Sequence, residues 1–159
     1  DTDTYTSVTT NRLATTFFDH HLGQGEELAD YTYNYSDGVN VKTVSFNYYT
    51  GRNVRADQVN YGEAAILKKT DSYKGQNAGI IATTKARRTT TFFYGLKPGD
   101  ELVNYTYSYR SQDGSTVRST SVSFYDHAGL AVRASGATPS VDLLNFSASY
   151  RGDKTSVIN

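Results

Sequence analysis

ATTFFDHHLGQGEELADYTYNYSDG (Ala14 to Gly38) matches TTTFFYGLKPGDELVNYTYSYRSQDG (Thr89 to Gly114) in the same chain, and the reading of the fold follows from that match. The likeness continues. VSFNYYTGRNVRA (Val44 to Ala56) faces VSFYDHAGLAVRA (Val122 to Ala134), and ILKKTDSYKGQNAGII (Ile66 to Ile81) faces LLNFSASYRGDKTSVI (Leu143 to Ile158). Across the three blocks the offset stays between about 74 and 78 residues, as expected for two copies of one unit separated only by loop insertions. The sequence therefore predicts an internal duplication, with unit one over residues 1–80 and unit two over 81–159. Nothing Pro-rich or Gly/Ser-rich marks the junction near Ile80 to Arg88, so a loose linker is not expected.

Within each unit the periodicity is that of strands. Tyr31, Tyr33 and Tyr35, and again Tyr105, Tyr107 and Tyr109, alternate with Thr, Asn or Ser, a period of two that puts the rings on one face. Val44 and Phe46, and Val122 and Phe124, repeat the pattern in the next strand. Between them lie Asp37-Gly38 and Asp113-Gly114, because glycine takes positive φ at no steric cost and Asp caps the turn. Thr50-Gly51 and Ala128-Gly129 mark the following turn, and Ile66 to Tyr73 and Leu143 to Tyr150 a further strand. Gly62 to Lys69 (GEAAILKK) has helix-favouring residues, but its partner VDLLNFSASY reads as extended, so both are assigned to strands. Five to seven short strands per unit predict an all-β chain: an antiparallel, immunoglobulin-like β-sandwich, internally duplicated, as two tandem small sandwiches or one fused pair.

Composition narrows the function. The chain has 159 residues, with 16 Lys+Arg against 16 Asp+Glu, so it has no cationic surplus with which to hold nucleic acid or anionic lipid. No apolar run approaches the length of a membrane span. There is no Cys, which removes disulfides, thiolate metal sites and a Cys nucleophile. There is no Met either, so Asp1 is not expected to be the translated start. A mature secreted, extracellular protein is the expectation.

The sequence carries none of the patterns of a serine-hydrolase elbow, a zinc protease, a phosphate-binding loop, a dinucleotide fold or an EF-hand, so neither catalytic residues nor a cofactor is expected. Asp19-His20-His21 and Asp126-His127 are the only histidine clusters; they occupy non-equivalent places in the repeat and are assigned to solvated loops, with no metal site. The acidic residues Asp1, Asp3, Glu26, Glu27, Asp30, Asp57, Asp100 and Glu101 are read as solvated loop or strand-end groups. Thr2, Thr4 and Thr6 lack the regular ranks an ice-binding surface needs, and the acceptor patterns at Asn34, Asn104 and Asn145 fall inside predicted strands.

The surplus is aromatic: 14 Tyr and 7 Phe, with no Trp. Tyr rings stack on the apolar faces of sugars, and neighbouring polar groups take the sugar hydroxyls. The two Tyr stripes are assigned to the inward face of each unit. Tyr48, Tyr49, Tyr61, Tyr94 and Tyr125, with Arg52, Arg55, Arg133 and His127 nearby, are the candidate ligand contacts.

Phe92 to Gly114 contains Gly95-Leu96-Lys97-Pro98-Gly99-Asp100 followed by a Tyr-rich strand, and His21-Leu22-Gly23-Gln24-Gly25-Glu26 is a degraded copy. This stretch resembles the corresponding one of β-glucan-binding modules, namely family 56 carbohydrate-binding modules and the amino-terminal domains of β-1,3-glucan recognition proteins; Tyr107 and Tyr109 stand where those modules carry Trp. The resemblance implies non-catalytic binding of a β-glucan or related polysaccharide; the duplication, for its part, would tether two weak sites for avidity toward a polymer. The rival expectation is a structural or adhesive protein of a surface layer or biofilm matrix, oligomerising through exposed strand edges.

Overall fold

The computed structural model describes residues 12–75, 86–110 and 113–154, so Asp1, Asp3, Thr2, Thr4, Thr6 and the unit boundary at Ile80 to Ile81 lie outside the described residues. The chain is all-β and antiparallel, as the alternation requires. Its strands are β1 (Ala14–Asp19), β2 (Leu28–Tyr35), β3 (Val41–Tyr49), β4 (Leu67–Lys74), β5 (Arg87–Tyr94), β6 (Leu102–Tyr109), β7 (Val117–His127), β8 (Leu130–Arg133) and β9 (Leu143–Arg151). The segment Gly62 to Ile66, helical by composition and extended by analogy, is loop, and the strand begins at Leu67.

Hydrogen bonding threads all nine strands through one sheet in the order β1 to β8, with β9 on the other side of β7. The all-β, antiparallel expectation holds. The described residues form four strands before the boundary and five after it. β4 pairs with β5 through five residue pairs, from Lys69 opposite Phe92 to Tyr73 opposite Arg87, and joins the halves edge to edge.

Register then sorts the side chains, since directly paired residues share a face. One row runs Phe17, Tyr31, Phe46, Asp71, Thr90, Tyr107, Thr120 and Tyr150 across eight strands. On the opposite face, Thr16, Thr32, Ser45, Ser72, Thr89, Ser108 and Ser119 form a row of hydroxyls. Neighbours in it share hydrogen bonds, as between Thr16 and Thr32 (2.9 Å) and from Ser45 to Ser72 (3.3 Å). The Tyr stripes lie on the aromatic face as predicted, and their six rings are half-buried.

Two small cores anchor the first half: Val44, Phe46 and Tyr73, with Tyr31, Tyr33 and Tyr48 against them, and Tyr49, Ala56 and Val59, with Leu22, Leu28 and Leu67 around them. In the second half Val122, Tyr125, Ala134 and Thr120 are buried.

The same local features recur in both halves. Phe17 stacks on Tyr31 (4.6 Å between centroids, 16°) and Phe92 on Tyr105 (4.5 Å, 24°), each with a second Tyr edge-on. β-Bulges fall at Phe17/Phe18 and Phe92/Phe93, at Asn34/Tyr35 and Ser108/Tyr109, and at Tyr48/Tyr49 and Phe124/Tyr125. Asp37 caps the N–H groups of Val39 and Asn40, and Asp113 those of Ser115 and Thr116, at the two predicted Asp-Gly turns.

One sequence correspondence is corrected. The match of Val44-Ser45-Phe46 to Val122-Ser123-Phe124 is two residues out of step, because Phe46 lies opposite Tyr31 while Val122 lies opposite Tyr105. The counterpart of Phe46 is thus Val122, and the two extra residues sit in the β7–β8 hairpin, where Tyr125 pairs with Val132 as Tyr49 does with Val54. A slip of two keeps every side chain on its own face, so pattern alone does not detect it.

Candidate functional site

The nine residues singled out for ligand contact do not gather into one surface. Tyr49 and Tyr125 are interior: each is about 5% exposed, and their hydroxyls donate to the carbonyls of Ala29 (2.6 Å) and Val103 (2.9 Å). Neither offers a ring face to a ligand, which corrects the expectation for both. Tyr49 continues the alternation onto the face of Asn47, whose amide reaches the same Ala29 carbonyl, and is covered there by Ala56 and Val59 of the following segment, a packing contact that strand pattern does not foresee.

Tyr48 lies half-buried beneath the ammonium of Lys69, 4.3 Å from its ring centroid. Tyr94 is half-buried at the end of β5. Arg133 donates to the Asn104 side chain (2.8 Å), and His127 shares a hydrogen bond with Asp142 (2.8 Å). Arg55 forms a two-pronged pair with Asp30 (2.7 and 2.6 Å) while its guanidinium stacks 4.4 Å from the Phe46 ring, so it closes the core.

Tyr61, Arg52 and His127 are exposed, and the first two lie together beside one cleft. Tyr61 is 84% exposed and lines a cleft of about 510 Å³ with Leu22, Glu26, Glu27, Glu63 and Pro98. Arg52 pairs with Glu63 (2.7 Å) at its side. The cleft thus brings together one predicted ring, the degraded Gly-Gln-Gly-Glu turn and Pro98 of its counterpart turn. Hydrogen bonds hold the carboxyls of Glu27 and Glu63 below the ordinary range, chiefly from the Gly25 N–H and from Arg52 respectively, so both are anionic acceptors at neutral pH.

His21, assigned to a solvated loop, is a structural pin. Its Nδ1 meets Asp19 and its Nε2 donates to the Val59 carbonyl (2.8 Å); bonding to Asp19 raises the imidazole pKa above 6.5. Among the described residues no group of three or more His, Cys, Asp or Glu side chains could hold a metal ion, and no helix is long and apolar enough to cross a membrane.

The residues that sequence reasoning passed over lie on the outermost strands. On β1, Phe18 is 57% exposed and Phe17 39%; on β9, Leu144 is 58% and Phe146 47% exposed. Edge strands of soluble proteins are ordinarily blunted by charge or Pro. Here the distribution is inverted: β4, inside the sheet, carries Lys68, Lys69, Asp71 and Lys74, whereas β9 has no charge from Leu143 to Tyr150. That contrast was available in the aligned sequences, but its meaning depends on knowing which strand is interior.

Comparison of the chain with protein-family models, curated proteins and solved structures returned no match in any of the three.

Proposed function

We propose that this is a non-catalytic, extracellular structural protein, an internal duplication of a strand-rich unit, that works by pairing its exposed sheet edges with other strands. The observation that carries this reading is the exposure of Phe17 and Phe18 on β1 and of Leu144 and Phe146 on β9, the outer strands, in contrast to the charged interior strand β4. Unpaired backbone groups along such edges are templates for strand addition, and the usual protective charges are missing from Leu143 to Tyr150 of β9. The dispersal of the predicted sugar contacts, with two of them buried, further favours a role built on protein contacts over one built on Tyr platforms.

Size-exclusion chromatography with light scattering over a concentration series tests it. Concentration-dependent growth in mass without added sugar is the expected result; a constant monomer mass at every concentration would remove the reading.

A second reading, binding of a polysaccharide such as a β-glucan, is supported by one feature, the cleft in which the exposed Tyr61 ring stands beside Glu26, Glu27 and Glu63. Such a ring offers a stacking surface and the carboxylates accept from sugar hydroxyls. Retention of the intact chain on insoluble glucan, lost in Tyr61→Ala, is the outcome that would favour it.

A further inference from the structure

The joint between β4 and β5 is itself a strand-edge contact, made inside one chain. Each side of it has a counterpart that has no strand on its outer side among the described residues. Pairing registers define the counterparts. Phe92 opposes Tyr105 as Phe17 opposes Tyr31, so β1 is placed as β5 is. Tyr73 opposes Val44 and Asp71 opposes Phe46, while Tyr150 opposes Thr120 and Ala148 opposes Val122, so β9 is placed as β4 is. The Gly75 N–H donates to the Lys42 carbonyl (2.9 Å) and the Gly152 N–H to the Arg118 carbonyl (2.8 Å), which ends both strands alike.

We infer that β9 of one molecule pairs antiparallel with β1 of a second copy of this chain, in the register that β4 uses with β5, so that copies join head to tail. This rests on the edge-pairing reading above and names the partner. Transferring the β4–β5 register places Phe146 opposite Phe17, Ser147 opposite Thr16, Ala148 opposite Thr15 and Ser149 opposite Ala14 of the next copy.

The chemistry at each of these pairs is compatible. Within the chain, Lys69 faces Phe92, and the buried Asp71 is satisfied by Lys69 (3.0 Å) and the Thr90 hydroxyl. At the intermolecular joint Phe146 replaces Lys69 and Ala148 replaces Asp71, so the buried charge and its counter-ion disappear together. What remains is an apolar contact between Phe146, already stacked on Phe124 at 4.7 Å, and Phe17, stacked on Tyr31. Both rings lie on the aromatic face, and each lacks a neighbour on the outer side among the described residues. Tyr73, on the interior strand, is 7% exposed, and its edge counterpart Tyr150 is 42% exposed, a difference that a further strand would close.

A polar feature of the internal joint also has its counterpart in place. Glu101 bonds the Gly99 N–H (2.8 Å) with one oxygen and receives the N–H of Leu67, at the start of β4, with the other (3.0 Å). Glu27 bonds the Gly25 N–H (3.0 Å) in the same turn of the first half, and its exposed carboxylate is where the Leu144 N–H of a preceding copy would arrive. The two edges are different surfaces, so the contact is heterologous, and each addition leaves one free β1 and one free β9 for the next.

Two sets of variants test the inference in the full chain. Phe17→Lys blocks only the β1 edge and Phe146→Lys only the β9 edge. Each alone is expected to remain monomeric by light scattering, while an equimolar mixture gives a species of about twice the monomer mass, through the intact β9 of one and the intact β1 of the other. The second set leaves the rings untouched. In a chain with no native Cys, Thr16→Cys with Ser147→Cys is expected to form an intermolecular ladder on oxidation, and either alone is not. Continued assembly of one Lys variant by itself, or oligomers that stop at a symmetric dimer and give no Cys ladder, would overturn the head-to-tail register while leaving edge pairing intact. A chain monomeric at every concentration and without cross-links, as when its own terminal segment covers an edge, would end both.

Discussion

The hydroxyl of Thr90 donates to the carboxylate of Asp71 across the β4–β5 joint, with Asp71 only 3% exposed and Thr90 2%. Tyr109 in turn donates to Thr90 (3.1 Å), and Lys69 reaches the other oxygen of Asp71 (3.0 Å). A buried charge in the middle of an aromatic row is thereby satisfied by three side chains in series. Removing one partner from such a set is costly, whereas replacing the charged members together is not.

Asp71→Ala is therefore expected to destabilise the chain by about 2 to 4 kcal/mol, because it strands Lys69 beside an apolar row and leaves Thr90 without its acceptor. The double change Lys69→Phe with Asp71→Ala gives β4 the residues that β9 carries at Phe146 and Ala148. It is expected to recover at least half of the loss. Urea unfolding of the two variants and the parent chain measures both, and equal losses would show that the pair does not act as a unit.

Tyr49 and Tyr125 are expected to behave as core residues. Tyr49→Phe and Tyr125→Phe each remove one hydrogen bond, to the Ala29 carbonyl, which keeps the Asn47 amide, or to the Val103 carbonyl, and should cost about 1 kcal/mol. Thermal unfolding reports the loss, and retention on any polysaccharide that the parent chain binds should be unaltered.

Gly95 is held by close approach. A Cβ there would stand 3.0 Å from Cγ and 3.1 Å from Cα of Glu101, the residue that ties the Leu67 N–H across the joint. Gly95→Ala must displace that backbone and is expected to cost about 1 to 3 kcal/mol. The N–H of Leu67 should also lose protection from hydrogen exchange, a readout that a change elsewhere would not move.

Acid and neutral pH should weaken the fold through different groups. Asp113 accepts the Thr116 hydroxyl (2.5 Å) and the N–H groups of Thr116 and Ser115, which pull its pKa from 3.8 down to about 2. With the folded pKa below the unfolded one, its contribution is present above about pH 4 and is lost as pH falls through about 2. His21 is the opposite case. Its pKa is raised, chiefly by Asp19, so its contribution is full below about pH 6.5 and is lost as pH rises through the folded value. Asp113→Asn should flatten the acid limb of a melting-temperature profile and His21→Asn the limb above neutrality; carboxyl and imidazole titrations by NMR would locate each midpoint.

Much of the fold was legible before any coordinate. Tyr31, Tyr33 and Tyr35 alternate with small polar residues, and no packing arrangement changes which side of a pleat they take. Asp37-Gly38 and Asp113-Gly114 carry their own turn chemistry within a few residues, so both hairpins were readable locally. The candidate site was less legible. Tyr49 follows the alternation of its own strand, but Ala56 and Val59, which bury it, come from a segment beyond the strand whose path across the sheet the local pattern does not encode.

The alternation of apolar and polar residues and the Asp-Gly turns, which are local properties of the chain, determined that the protein is antiparallel β and that the rings of each Tyr stripe share a face. Whether the halves close into separate layers or join into one sheet was decided by which strand edges meet, a contact between residues such as Asp71 and Thr90 that local pattern does not encode. That decision placed the charged strand β4 inside the sheet and β9, uncharged from Leu143 to Tyr150, at its end, because backbone hydrogen bonding fixes neighbours across the sheet, while composition fixes only the faces.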